Sequence, residues 1–117
     1  MDSEVRTVRG PLDLASALRV SHQQLVVVLF STRWCEFCRM IRLYLGEFAE
    51  RYRDVHFCEV DINAAGEVVQ RCGIEWFPTF QFYRNGAKVF QFKGPNRCLL
   101  EGMIQKLRGG KCGPWPD

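Results

Sequence analysis

Leu25 to Phe30 form an unbroken apolar run, inside the stretch "QLVVVLFS", and three of its residues are β-branched valines. A strand with one wet face alternates apolar and polar residues; this one does not. Such a run suits a strand buried on both faces, as in a parallel sheet covered by helices. It is far shorter than the roughly 20 apolar residues a membrane-spanning helix needs. Directly after it comes "STRWCEFCRM", which sets Cys35 and Cys38 three positions apart.

The rest of the chain fits the same architecture. Val5 to Val8 reads as a short first strand, and "GPLDLASALRVS" as a helix with Pro11 in a starting position. "FCRMIRLYLGEFAERY" carries apolar residues at helical spacing, at 37, 40, 41, 44, 45, 48 and 52. "VHFCEVDI" alternates, with Val55, Phe57, Glu59 and Asp61 on one side and His56, Cys58, Val60 and Ile62 on the other. Asn63 is expected to cap a helix from Ala64 to Arg71, closed by Gly73. "TFQFYRNGAKVFQFKG" predicts a hairpin, with Asn85-Gly86 supplying the positive φ angles of a type I′ turn. Leu99, Leu100, Met103, Ile104 and Leu107 mark the inner face of a last helix. The order is βαβαβαββα, an α/β domain over residues 1–108, followed by a flexible tail at 109–117.

Composition excludes several function classes. A chain of 117 residues with 47% hydrophobic and 25% charged residues has the material for one core. The net charge of +3 is spread along the chain rather than clustered, so nothing points to nucleic acid. No stretch is long enough for a membrane span, and "MDSEVRTVRG" lacks the basic start and apolar segment of a secretory signal. A cytoplasmic location is expected, where thiols stay reduced. The six cysteines then read as one reactive pair, Cys35 and Cys38, with Cys58, Cys72, Cys98 and Cys112 as extras.

The pair admits three readings: a redox couple, metal ligands, or small core residues. A structural zinc site wants four ligands, and no second pair of similar spacing exists; His22 and His56 lack metal-site spacing. No metal and no cofactor is therefore expected. The context favours redox chemistry. A cysteine opening a helix after a buried strand faces unpaired N–H groups and the positive end of the dipole, which stabilise a thiolate. Cys35 is placed to be an exposed nucleophile. Cys38, one turn inward, is placed to resolve the mixed disulfide. Arg33 and Arg39 add positive charge.

The stretches "VVVLFSTRWCEFCRMI", "FCEVDI", "FPTFQFYRNGAKVFQFKG" and the last amphipathic helix together resemble the thioredoxin family, the cytosolic thioredoxins of animals in particular. The resemblance covers residues 4 to about 108. It implies the thioredoxin fold, a five-stranded mixed central sheet flanked by four helices. It also implies thiol–disulfide exchange on protein disulfides, as part of cellular redox homeostasis and electron transport; a cytosolic setting points to the reducing direction, while the Glu36-Phe37 pair between the cysteines allows a more oxidising, isomerase-like potential. Electrons would come from a separate donor, a thioredoxin reductase or a small thiol, and the protein would be a monomer. Trp34 and Gly94 match positions lining the family's substrate groove. Pro78 matches a cis-proline opposite the cysteines, and the backbone at Phe77 pairs there with substrate like an added strand.

Two departures bear on chemistry. Glu36-Phe37 replaces the usual Gly-Pro between the cysteines, and Glu36 repels a Cys35 thiolate while favouring the helix. Leu29 stands where the family has a buried aspartate behind the second cysteine, so Cys38 should deprotonate less easily. Leu43 replaces a common kinking proline. Leu29 and Phe37 also admit a second reading, a binding module that docks partners through Trp34, Trp76, Phe77 and Pro78 with weak or no redox activity. Cys58, Cys72 and Cys98 read as small apolar core residues and Cys112 as an exposed tail thiol. Asp61 reads either as a solvated carboxylate or as an influence on partner choice.

Overall fold

The computed structural model describes residues 5–109; the expected tail and Cys112 lie outside them. Nine elements follow the expected order: β1 Val5–Val8, α1 Pro11–Val20, β2 Val26–Ser31, α2 Glu36–Arg51, β3 His56–Asp61, α3 Gly66–Arg71, β4 Thr79–Arg84, β5 Ala87–Lys93 and α4 Arg97–Arg108. The strands form one sheet in the order β1-β3-β2-β4-β5. β1, β3 and β2 run parallel, while β4 and β5 are antiparallel additions. β2 is therefore central, and each of its residues is buried. That burial accounts for its lack of alternation.

The two faces of the sheet carry separate cores. Val27 and Leu29 point with Phe57, Phe80 and Phe82 toward Ile41, Leu45 and Phe48 of α2 and Leu100 and Ile104 of α4. Val26, Val28 and Phe30 point with Cys58 and Val60 toward Ala17 of α1 and Val68 and Val69 of α3. The alternation in β3 thus sorts its residues between two apolar faces rather than between core and water. Each fully buried Val, Leu or Phe contributes roughly 1.5–3 kcal/mol relative to exposure, so β2 is the chief hydrophobic element of the domain.

The turn signals hold. Asn85 and Gly86 have φ of 56° and 80°, as a type I′ turn requires. The turn is anchored to the end of α1: Asn85 N–H donates to the Ser21 carbonyl at 2.7 Å and Gly86 N–H to Ser21 Oγ at 2.8 Å. A Cβ at Gly86 would meet the His22 ring at 3.1 Å, so two constraints keep glycine there. Gly73 follows α3 with φ 68°. The start of α3 differs from expectation. It begins at Gly66, and Asn63 does not cap it. Asp61 competes for this segment: its side chain accepts from Asn63 N–H, and its carbonyl accepts from Ala64 and Ala65 N–H. Those residues form a turn instead of a first helical turn.

In α2 the buried face is Cys38, Ile41, Leu45, Phe48 and Ala49. Phe37 and Met40 share the apolar spacing but stand exposed at its start, as does Leu43 further on. The helix runs without interruption through Leu43 and Gly46.

Candidate active site

β2 ends at Ser31, and the chain turns through Thr32 to Trp34 before α2 begins. Cys35 is the N-cap of α2. Its backbone is extended, and its sulfur accepts the Cys38 N–H at 3.0 Å. This is the position where a side-chain acceptor satisfies one of a helix's unpaired donors. Cys35 is half-buried rather than exposed. The loop before β4 covers it: the Cys35 thiol donates to the Phe77 carbonyl at 3.7 Å. The Phe77–Pro78 bond is cis. Gly94 N–H donates to the Pro78 carbonyl at 2.9 Å, and Gly94 has φ 102°, a conformation that favours glycine. The fold thus gathers Cys35, Cys38, Phe77, Pro78 and Gly94 from three separate segments.

The two sulfurs are unlike. Cys38 is fully buried. Burial, with a further push from its hydrogen bond to Cys35, raises its thiol pKa to about 12; the backbone at Thr32 and the charge of Arg42 act in the opposite sense. Leu29 is also fully buried, on the face of β2 that α2 covers. Both cysteines are free thiols.

The surroundings are accessible and mix aromatic with charged side chains. Trp34 is 81% exposed, Trp76 61% and Phe37 56%. Trp34 therefore belongs to the surface. Arg33, Trp34, Cys35, Glu36 and Arg39 line a shallow depression of about 90 Å³. Glu36 and Arg39 face each other at 3.8 Å, both largely in water, where such a pair contributes little. Lys93 lies over the Trp76 ring at 5.2 Å, and the Trp76 carbonyl accepts from Thr79 Oγ1 at 2.6 Å.

The other cysteines separate. Cys58 is buried in the core between the sheet, α1 and α3, and that burial raises its pKa to about 12. Cys72 is half-buried against the same core, with its pKa also raised by burial. Cys98 is exposed, contrary to the core role expected of it, because it lies on the outer side of α4 while Leu100 and Ile104 point inward. Burial, then the charge of Arg6, lowers the pKa of His56.

A polar cluster that the sequence did not announce lies on the same face as Leu29. Arg42 Nε donates to Glu59 Oε2 at 2.5 Å, Ser31 Oγ donates to the same oxygen at 2.7 Å, and Arg42 Nη2 donates to Ser31 Oγ at 3.3 Å. Two signals were present: Glu59 shares the parity of Phe57, and Arg42 follows Cys38 by four. Neither says that β2 and β3 align Leu29 with Glu59 and Ser31 with Asp61.

A reduced dithiol whose outer sulfur caps a helix, opposite a proline loop, on a sheet of this order, defines a thiol–disulfide oxidoreductase. The family model described as "Thioredoxin" matches residues 15–106. Thioredoxin of Gallus gallus is 39% identical over 103 residues, covering 88% of this chain and 98% of that one. Thioredoxin of Homo sapiens is 37% identical with the same coverage. Among solved structures, Fasciola hepatica thioredoxin superposes with a TM-score of 0.85 at 28% identity, covering 89% of this chain and 100% of its own. Reduced Schistosoma mansoni thioredoxin pre-protein gives 0.82 at 33%, covering 90% and 99%. The chain belongs to the thioredoxin family and is a protein disulfide oxidoreductase.

Proposed function

We propose that this chain reduces protein disulfides, with Cys35 as the attacking sulfur and Cys38 as the resolving one. The observation that carries the assignment is the position of Cys35: its sulfur caps α2, 3.0 Å from a backbone N–H, and it is the more accessible of the pair. Attack by the Cys35 thiolate breaks the substrate disulfide, joins Cys35 to one substrate sulfur and expels the other as a thiolate. Cys38 then attacks Cys35, closes the Cys35–Cys38 disulfide and frees the second substrate thiol. Trp34, Phe77, Pro78 and Gly94 form the surface that receives the substrate backbone, while Glu36, Phe37, Leu29 and Arg39 tune the pair. The free thiols of Cys58, Cys72 and Cys98 suit a reducing, cytoplasmic setting. Among the described residues no helix is long and apolar enough to cross a membrane. Electrons come from a separate reductase or a small thiol, and the protein works as a monomer.

Equilibration of the Cys35–Cys38 pair in a series of glutathione buffers tests this. A potential below about −230 mV is expected of a reductase, against about −180 mV or higher for an isomerase or oxidase. Failure to form a reversible intramolecular disulfide at any ratio would overturn the exchange role of this pair.

A further inference from the structure

The resolving step, on the reading above, needs a thiolate at Cys38. That sulfur sits in an apolar place, and Leu29 leaves no carboxylate behind it. Something else must lower the cost of ionising it. α2 places Arg42 four residues after Cys38, on the same side of the helix, where Cβ atoms are about 5–6 Å apart. Arg42 is partly exposed, and Ser31 from β2 and Glu59 from β3 both hold its guanidinium in place. Ser31 is itself fully buried, and it directly precedes Thr32, whose backbone eases ionisation of the Cys38 thiol. The cluster therefore lies on the side of the buried cysteine and fixes the guanidinium there, with Glu59 as its counter-ion.

We propose that Arg42 is a positioning and electrostatic residue for resolution, clamped by Ser31 and Glu59 so that its guanidinium stabilises the Cys38 thiolate as it attacks the mixed disulfide. The proton of Cys38 leaves to water. The thiolate forms the bond to Cys35 Sγ, the bond from Cys35 to the substrate sulfur breaks, and the electron pair leaves with that sulfur as a thiolate. Two electrons pass in all from the two cysteine sulfurs to the substrate disulfide. The charged and titratable groups acting on Cys38 directly are Cys35 and Arg42. Glu59 reaches it through Arg42. The residues that β2 and β4 add on this face, Leu29 and Phe80, are apolar. Arg42 is 36% exposed and shares its charge with Glu59, so its pull on Cys38 is partly screened, yet stronger than that of a fully solvated cation.

Two neutral replacements test the charge, Arg42→Met and Arg42→Gln; the second can still donate to Glu59 and preserve the clamp. The reduced full chain, with Cys72, Cys98 and Cys112 replaced by serine so that none of these thiols competes, is mixed with one equivalent of 5,5′-dithiobis(2-nitrobenzoic acid), which releases one coloured thiolate as Cys35 attacks and a second as Cys38 resolves. The pH profile of the second phase is the readout, because a merely structural loss would not move it. Both variants should shift that profile upward by about one pH unit, slowing the phase on the order of tenfold at neutral pH, and leave the first phase within about threefold. Arg42→Lys, which keeps the charge, should recover most of the shift. Unchanged profiles in both neutral variants would overturn the proposal and leave the exchange reading standing. Release of only one equivalent by the chain that keeps Arg42 in this background would overturn both.

Discussion

At the scale of single residues, Leu29 is the departure with most consequence. It is fully buried, and the sheet sets it directly beside Glu59 on one neighbour and Phe80 on the other. An apolar side chain suits the core formed with Ile41 and Leu45. It supplies no base for the inner thiol. Leu29→Asp should therefore speed turnover with a protein disulfide, since a carboxylate near Cys38 can take its proton. It should also lower stability by about 3 kcal/mol or more, because it buries a charge beside a second carboxylate. Single-turnover kinetics and urea unfolding read the two effects separately. A rate that stays level or falls would show that proton removal from Cys38 does not limit this enzyme.

At the scale of elements, α2 does two jobs with one residue. Cys35 starts the helix and, in the proposed function, is also the attacking sulfur. The functions can be separated, since serine is among the best N-caps and alanine among the poor ones. Cys35→Ser should abolish exchange while keeping stability close to that of the native chain. Cys35→Ala should abolish exchange and cost about 1 kcal/mol as well. Equal stabilities of the two variants in urea would mean that the 3.0 Å contact to the Cys38 N–H does not hold the helix end. The helix also shows what sequence could disclose. The strand-to-helix position of the cysteines was legible, because a buried strand announces itself through an unbroken apolar run. The hairpin was legible, because Asn-Gly has a narrow conformational meaning. The first turn of α3 was not. Asn63 is a good cap by type, but Asp61 captures the local N–H groups first, and competition between neighbours is invisible to residue preferences. Trp34 and Phe37 could not be placed by spacing either, since an apolar residue near a helix start can face core or solvent. The Ser31–Glu59–Arg42 cluster was the least legible. It depends on the register of two strands and on a helix laid across them.

At the scale of the whole molecule, the domain protects several acidic protons from water. Cys58, buried in the same core face as Val28, Val60 and Val68, has its pKa raised to about 12 by burial. Cys38 and Tyr83 are raised to about 12 as well, each chiefly by burial. In the unfolded chain these groups ionise near their ordinary values, about 9 for a thiol and about 10 for tyrosine. Between those values and about 12 the folded state binds more protons than the unfolded one, so stability must fall as pH rises. Each group contributes a slope approaching 1.4 kcal/mol per pH unit once it is ionised in the unfolded chain, roughly. Below the thiol value the contribution is fully present. Against a total of about 5–15 kcal/mol for an ordinary domain, a few such groups make alkali a strong denaturant well before the guanidinium ion pairs titrate. Cys58→Ala removes one of them away from the active site, at a modest packing cost at neutral pH. Urea unfolding under reducing conditions at pH 8, 9.5 and 10.5 should show a shallower loss of stability in Cys58→Ala than in the native chain. Parallel losses would mean that Cys58 ionises as readily inside the fold as outside it, and that its burial in the core face with Val28 and Val60 does not hold its proton.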